Sequence, residues 1–375
     1  MHRLFPAVVA LLLLVALQPA SAAASSTYQA WLDEAFAADG PGATVILTRD
    51  GEVVFRGAAG RANLELGVPM QPDHVLRIGS LTKQFTAAAI LLLRDRGRLA
   101  LSDEVARHLP DFPPHGARIT IAQLLAHTSG LFNYTDQPGY WRGQLLRTDV
   151  SVQQIIGMFA DKPPQFAPGS RFSYSNSGYA LLGAIIERVS GKPYAEFLRS
   201  EIFAPLGLVD TQYGGLQLVL RRASGYQIDA DKRYRNALPL SMTHAYAAGA
   251  LLSTVDDLAR WNAALFGGRL LSDESLRLMT TATRLADGSV TEYGFGLYVR
   301  ERDGLRVIGH SGGIHGFTSS AWWLPEQRLY AAVLTNLEDS GKANELLWRL
   351  LRDAATDSSG TRKKIPETPP RHTTR

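Results

Sequence analysis

Ser80-Leu-Thr-Lys83 sets a hydroxyl and an amine three residues apart at the head of an apolar run, Gln84-Phe-Thr-Ala-Ala-Ala-Ile-Leu-Leu-Leu93. The run has helical character, and residues i and i+3 share one face of a helix. Ser80 Oγ and Lys83 Nζ would then be neighbours. A serine hydroxyl is a weak nucleophile until a base takes its proton. A lysine supplies that base when burial lowers its pKa. The chemistry this pair suits is acyl transfer through a serine ester. The same residues also suit a helix N-cap serine followed by a surface lysine, so other segments must decide.

Two segments do. Tyr174-Ser-Asn176 lies just before a helical pattern, and His310-Ser-Gly312 lies at the end of a β-prone run. On Ser80-x-x-Lys83, Tyr174-x-Asn176 and His310-x-Gly312, in that order, the chain resembles the β-lactamase-related serine hydrolases. That family includes class C β-lactamases, D-alanyl-D-alanine carboxypeptidases, D-aminopeptidases and certain esterases. Leu124-Leu-Ala-His-Thr-Ser-Gly-Leu131 and Ala248-Gly-Ala-Leu-Leu-Ser-Thr-Val-Asp-Asp257 are similar to family segments too. The resemblance runs over residues 28–355.

It implies that Ser80 attacks a carbonyl to form an acyl-enzyme and that Lys83 holds or takes its proton. Tyr174 would be a partner base in acylation and the proton donor to the leaving group. Asn176 would orient Lys83 and the acyl-group amide. The backbone N–H groups of Ser80 and Gly313 would form the oxyanion hole, with Gly312 and Gly313 letting the strand edge approach the substrate. His310 stands where class C lactamases carry lysine. It would donate a hydrogen bond to Tyr174 or to a substrate carboxylate. A neutral imidazole gives a tyrosinate less support than an ammonium does, so activation of Tyr174 would lean on Lys83. The swap is the pattern of peptidase and esterase members.

The implied function is hydrolysis of amide or ester bonds, in D-amino-acid peptides or short-chain esters. A class C type β-lactamase and a non-catalytic penicillin- or peptide-binding sensor are the alternatives. The implied partner is a small-molecule or peptide substrate, with no cofactor.

Gly309-His-Ser-Gly-Gly313 also fits a G-x-S-x-G nucleophile elbow, which would make Ser311 the nucleophile. The elbow needs a helix directly after the serine, and Ile314-His-Gly-Phe-Thr-Ser-Ser-Ala-Trp-Trp323 is β-like. His310 and His315 have no H-E-x-x-H and no carboxylate at ligand spacing, so no metal is expected. His127 is assigned a structural role. In the loop 132–142, Tyr134, Tyr140 and Trp141 either line an acyl pocket or pack the lobe.

The elements that must position these residues can be read in outline. A helix is expected over Tyr28–Ala38, and strands over Thr44–Thr48 and Glu52–Arg56 around Asp50-Gly51, a hairpin signal. Helical patterns follow at Ser151–Phe159, Gly178–Val189, Tyr194–Ile202 and 249–266, the last with Ser253-Thr-Val-Asp256 as a capping box. Strands are expected at Phe295–Arg300, Leu305–Gly309, Phe317–Leu324 and Leu329–Leu334, then a helix over Ala343–Ala354. The fold class is α/β of the α+β type, β-lactamase/transpeptidase-like: an antiparallel sheet flanked by helices, plus a mostly helical lobe. The α/β lobe would take residues 28–99 and 246–355, and the helical lobe 100–245.

The chain has 375 residues, no Cys, and a net charge of +4 from 39 Lys+Arg and 35 Asp+Glu. Without Cys there is no disulfide and no thiolate chemistry. No basic run carries interleaved aromatics, which argues against nucleic acid. Arg3, the apolar run Val8–Leu17 and Ala20-Ser-Ala22 read as a signal peptide over residues 1–22. The mature protein is expected in the periplasm or secreted, with no stable membrane span. Residues 356–375, rich in Ser, Thr, Pro and Lys, read as a disordered tail.

Overall fold

The computed structural model describes residues 20–113, 115–338 and 340–357. The expected signal peptide and tail lie outside these, apart from the few residues that open the first helix and close the last. Six antiparallel strands form the main sheet: β1 (Ala43–Arg49), β2 (Glu52–Ala59), β3 (Tyr298–Arg302), β4 (Leu305–Ile314), β5 (Phe317–Leu324) and β6 (Leu329–Thr335). Their order is β3-β4-β5-β6-β1-β2. The two ends of the chain meet in mid-sheet, where β1 pairs with β6 with Val45 opposite Val333.

Two hairpins turn on Asp-Gly. Asp50 and Gly51 have φ of 53° and 84°, and Asp303 and Gly304 have 53° and 75°. Two consecutive left-handed residues are what a two-residue hairpin with the native strand twist requires.

The sheet is buried on both faces because side chains alternate along each strand. Val45 and Leu47 pack with Leu32, Leu347 and Trp348, carried by helices α1 (Ala20–Ala35) and α5 (Lys342–Asp357). Ile46 and Leu334 point the other way, into a core shared with Phe85 and Leu258. These come from α2 (Thr82–Asp95) and α4 (Val255–Phe266). That second core continues through α3 (Asn176–Ser190) into the helical segment between.

Three expectations need correction. Strand β4 does not end at Gly309 but runs through His310-Ser-Gly312 to Ile314. Glycine usually weakens a strand, but here it permits close approach: a Cβ on Gly309 would lie 2.2 Å from Ala321 O. The helix expected over 249–266 begins only at Val255, capped by Thr254, whose side chain accepts from Asp257 N–H. Leu251–Ser253 before it is a strand, paired with Leu76–Arg77 on one side and Gln212–Tyr213 on the other. The first strand of the C-terminal set starts at Tyr298, not Phe295, because Gly296 takes a left-handed φ of 72°.

Candidate active site

Ser80 sits in a short 3-10 turn, Gly79–Leu81, that runs directly into α2. The approach to it is pinned twice. Ile78 N–H donates to Leu251 O at 3.0 Å, and Ser319 Oγ donates to Ile78 O at 2.8 Å. Gly79 has φ +50°, and a Cβ there would lie 3.0 Å from Gly313 O. The turn bearing Ser80 is thus pressed against the edge of β4, which only glycine at this position allows.

Lys83 lies one turn along, fully buried. Its Nζ is 3.1 Å from Ser80 Oγ and donates to Asn176 Oδ1 and Ala248 O, each at 2.8 Å. The rings of Tyr174 and Tyr179 lie 4.7 and 5.4 Å from it. Burial pulls its pKa well below the ordinary amine value, as it does for an ammonium with no carboxylate to balance it. A neutral amine has two N–H donors and one lone pair. With both donors committed to carbonyl oxygens, the lone pair is left for the Ser80 hydroxyl.

Tyr174 and Asn176 flank Ser175, the N-cap of α3, whose Oγ accepts from Gly178 N–H. Tyr174 therefore precedes the helix and Asn176 opens it. Asn176 is fixed at both ends: its N–H donates to Asn133 Oδ1, and its Nδ2 donates to Thr135 Oγ1, both at 3.0 Å. Burial raises the Tyr174 phenol above its ordinary value, and the nearby Ser80 hydroxyl only partly opposes this. Tyr174 is a neutral phenol in the free protein.

His310 is not where the sequence put it. The side chain is buried. Its Nδ1–H donates to Ser311 O, and its Nε2 accepts from Tyr293 OH at 3.0 Å. Its ring centre lies 6.0 Å from that of Tyr174. Both nitrogens are taken, so neither serves Tyr174 or a substrate carboxylate. Burial, the largest cause, lowers its pKa to about 3. His310 is a neutral strut under the strand.

His127 packs beside Tyr174. Its Nδ1 accepts from Ser175 N–H at 3.0 Å, its backbone carbonyl accepts from Ser173 N–H at 2.8 Å, and its ring centre lies 4.3 Å from that of Tyr174. It grips the backbone on both sides of Tyr174. Of the three aromatics in the loop 132–142, Tyr134 and Tyr140 pack the lobe by bonding the His244 carbonyl and Nδ1. Trp141 instead reaches His315, with ring centres 5.6 Å apart.

The edge of β4 supplies the remaining polar groups. Ile314 and Phe317 flank the two-residue turn to β5 and form a pair. In a two-residue hairpin that closing pair is hydrogen-bonded, and the next pair is not. The N–H of Gly313, opposite Thr318, therefore points away from β5. On that side β3 reaches only as far as Gly309, so Gly313 N–H faces the Ser80 turn. Gly312 lies against this turn: a Cβ there would be 2.2 Å from Ile78 O and 3.0 Å from Ser80 N. Ser311 shares the outward face with Gly313 and is exposed. It sits in mid-strand opposite Ser320, which rules out the strand-turn-helix geometry of a nucleophile elbow.

Sequence reasoning missed Ala248, Asn133, Thr135 and Tyr293 as partners. A backbone carbonyl and loop side chains leave no spacing signal. Among the described residues no cluster of His, Asp or Glu could hold a metal ion.

The beta-lactamase family model matches residues 29–356. The chain belongs to the beta-lactamase family. Penicillin-binding protein 4* of Bacillus subtilis is 30% identical over 342 residues, covering 87% of this chain and 74% of that protein. A D-aminopeptidase of Brucella canis is 28% identical over 320 residues, covering 84% of this chain but only 60% of the relative's length. The solved structure of D-amino acid amidase from Ochrobactrum anthropi SV3, in complex with D-phenylalanine, superposes with a TM-score of 0.79 at 30% identity. It covers 90% of this chain and 99% of that one. As a beta-lactamase family member with these relatives, the protein is a serine hydrolase with the expected fold.

Proposed function

We propose that the protein hydrolyses amides of D-amino acids and D-peptides through an acyl-enzyme on Ser80. The observation that carries this reading is the Lys83 amine, buried without a carboxylate and with both donors spent on Asn176 and Ala248. Such an amine is a base at neutral pH. It takes the Ser80 proton as Oγ attacks the carbonyl. The oxyanion forms between Ser80 N–H and Gly313 N–H, a type of donor pair worth about 3 kcal/mol or more of barrier. The C–N bond then breaks as Tyr174 gives its proton to the departing amine. The Lys83 ammonium returns its proton to the phenolate, which restores both groups. Water repeats the cycle on the ester and releases the acid.

The D-amino-acid amide preference is drawn from the D-aminopeptidase and D-amino acid amidase among the similar proteins. Activity on short-chain esters follows from the same acyl-enzyme. Export by the leader read at residues 1–22 would place the enzyme outside the cytoplasm. Among the described residues no helix is long and apolar enough to cross a membrane.

The test is turnover of D-alanyl and L-alanyl p-nitroanilides, alongside covalent labelling by a fluorophosphonate. The expected result is D-selective turnover, with labelling abolished in Ser80→Ala and retained in Ser311→Ala. Labelling that survives Ser80→Ala would overturn the assignment. Binding of D-peptides without labelling or turnover would favour the sensor reading.

A further inference from the structure

A cavity of about 250 Å³ opens where the β4–β5 hairpin meets the loops around residues 222–225 and 236–240, lined in part by Arg77, Arg222, Ser224, His315 and Phe317. No Asp or Glu lines it among the described residues. Neighbouring Arg221 pairs with Asp210 at 2.7 Å, but Arg77 and Arg222 have no carboxylate partner among the described residues. Arg77 makes one long contact to Leu240 O, at 3.4 Å, and its guanidinium lies 5.8 Å from the Phe317 ring centre. Most of its five N–H donors are unused. Burial and the Arg222 charge press its pKa down to about 10, so it stays cationic at neutral pH. His315 is buried, and its Nδ1 has no hydrogen-bond partner. Ser224 Oγ accepts from Asn63. Two cations and an unpartnered buried imidazole nitrogen converge on one small space.

The cavity also has a definite place along the reaction path. Arg77 is three residues before Ser80, and His315 two after Gly313. At roughly 3.5 Å per residue, both backbones lie within about 10 Å of the nucleophile turn. Tyr174, the proton donor to the leaving group, stands near the His310 end of the exposed β4 edge. The acyl chain must leave by the other end, over Gly313 toward His315.

We propose that Arg77, Arg222 and His315 form an anion subsite for a carboxylate carried by the acyl portion of the substrate. This rests on the Ser80 acyl-enzyme reading and narrows it to D-amino-acid amides whose acyl side bears an acidic group. A planar carboxylate suits the forked donors of arginine. The volume, roughly that of eight waters, takes a carboxylate on a short stem.

The test compares N-succinyl-D-alanine p-nitroanilide with its N-butyryl analogue, which lacks only the charge. The wild type is expected to favour the succinyl substrate at least tenfold in kcat/KM, with the preference fading as ionic strength rises. Arg222→Gln, an exposed site tolerant of change, should bring the ratio close to one, and Arg77→Gln should do the same. A wild-type ratio near one overturns the subsite. If neither substrate turns over, calorimetry of Ser80→Ala with N-succinyl-D-alanine amide against the butyryl amide decides separately. Tighter succinyl binding, lost in Arg222→Gln, supports the subsite while sinking the hydrolysis reading; equal binding sinks the subsite. Thermal stabilisation by inorganic phosphate that needs Arg222, beside a substrate ratio of one, assigns the cavity to a free anion and overturns the substrate assignment.

Discussion

Lys83 Nζ donates to Asn176 Oδ1 across 2.8 Å, joining the first turn of α2 to the first residue of α3. The amide's own nitrogen is spent on Thr135, so only its oxygen can face the amine. This contact helps keep the Lys83 lone pair directed at Ser80. A carboxylate in its place would do the reverse. Asn176→Asp has the same shape but sets a negative charge beside the amine, raising the Lys83 pKa and favouring the ammonium. The expected outcome is a loss of roughly a hundredfold or more in kcat/KM at neutral pH. The acid limb of the pH–rate profile should also move to higher pH. A merely structural defect would lower the whole profile without moving the limb.

Tyr174 is held neutral by burial, which suits the proton-donor role proposed for it. An aniline or alkylamine must be protonated as it departs, whereas p-nitrophenolate leaves unaided. Tyr174→Phe should therefore cost roughly a hundredfold to ten-thousandfold in kcat on D-alanyl amides. The loss on p-nitrophenyl esters should be far smaller. Equal losses on both would show that the hydroxyl serves acylation as a base or as a strut.

The sheet was legible because Asp50-Gly51 and Asp303-Gly304 demand left-handed residues and the flanking runs alternate. Part of the candidate site was legible because Ser80 and Lys83 stand at the head of one helical run, and Tyr174 and Asn176 at the start of another, where spacing carries geometry. Other features left no trace of that kind. Strands of two and three residues, such as Leu76–Arg77 and Leu251–Ser253, show no periodicity. Gly309, Gly312 and Gly313 look like breakers until the neighbouring backbone is seen to need their space. Tyr293, which occupies His310, lies in a loop with no motif. Whether Lys83 has a carboxylate neighbour is a fact of tertiary packing. For that reason its protonation state, and with it that of Tyr174, could not be read from the chain.

Gly312 tests how tightly the strand edge and the nucleophile turn are matched. A Cβ there would lie 2.2 Å from Ile78 O and 2.4 Å from Ser319 Oγ. The side-chain atom can rotate away, but the backbone carbonyl cannot. Gly312→Ala should push β4 off the turn and separate Ser80 N–H from Gly313 N–H. We expect kcat to fall roughly a hundredfold and stability to fall by about 1–3 kcal/mol, the usual range for overpacking. Steady-state kinetics and urea denaturation measure the two effects. Full activity in a folded Gly312→Ala protein would place the oxyanion donors elsewhere.

His310 makes acid stability predictable in sign. Its folded-state pKa of about 3 lies below the ordinary 6.5. Between those values the unfolded chain binds a proton that the folded protein refuses. Stability from this group is therefore complete above about pH 6.5 and is lost as pH falls toward 3. His127, also buried, is depressed in the same direction and adds to the slope. His310→Gln keeps a polar group under the strand but does not titrate. It should cost stability at neutral pH through imperfect bonds to Tyr293 and Ser311, yet lose less than the wild type on acidification. Denaturant midpoints measured across the window should converge as pH falls. Parallel curves would mean that His310 takes up its proton in the folded state after all, and that the strut beneath Ser311 opens to water.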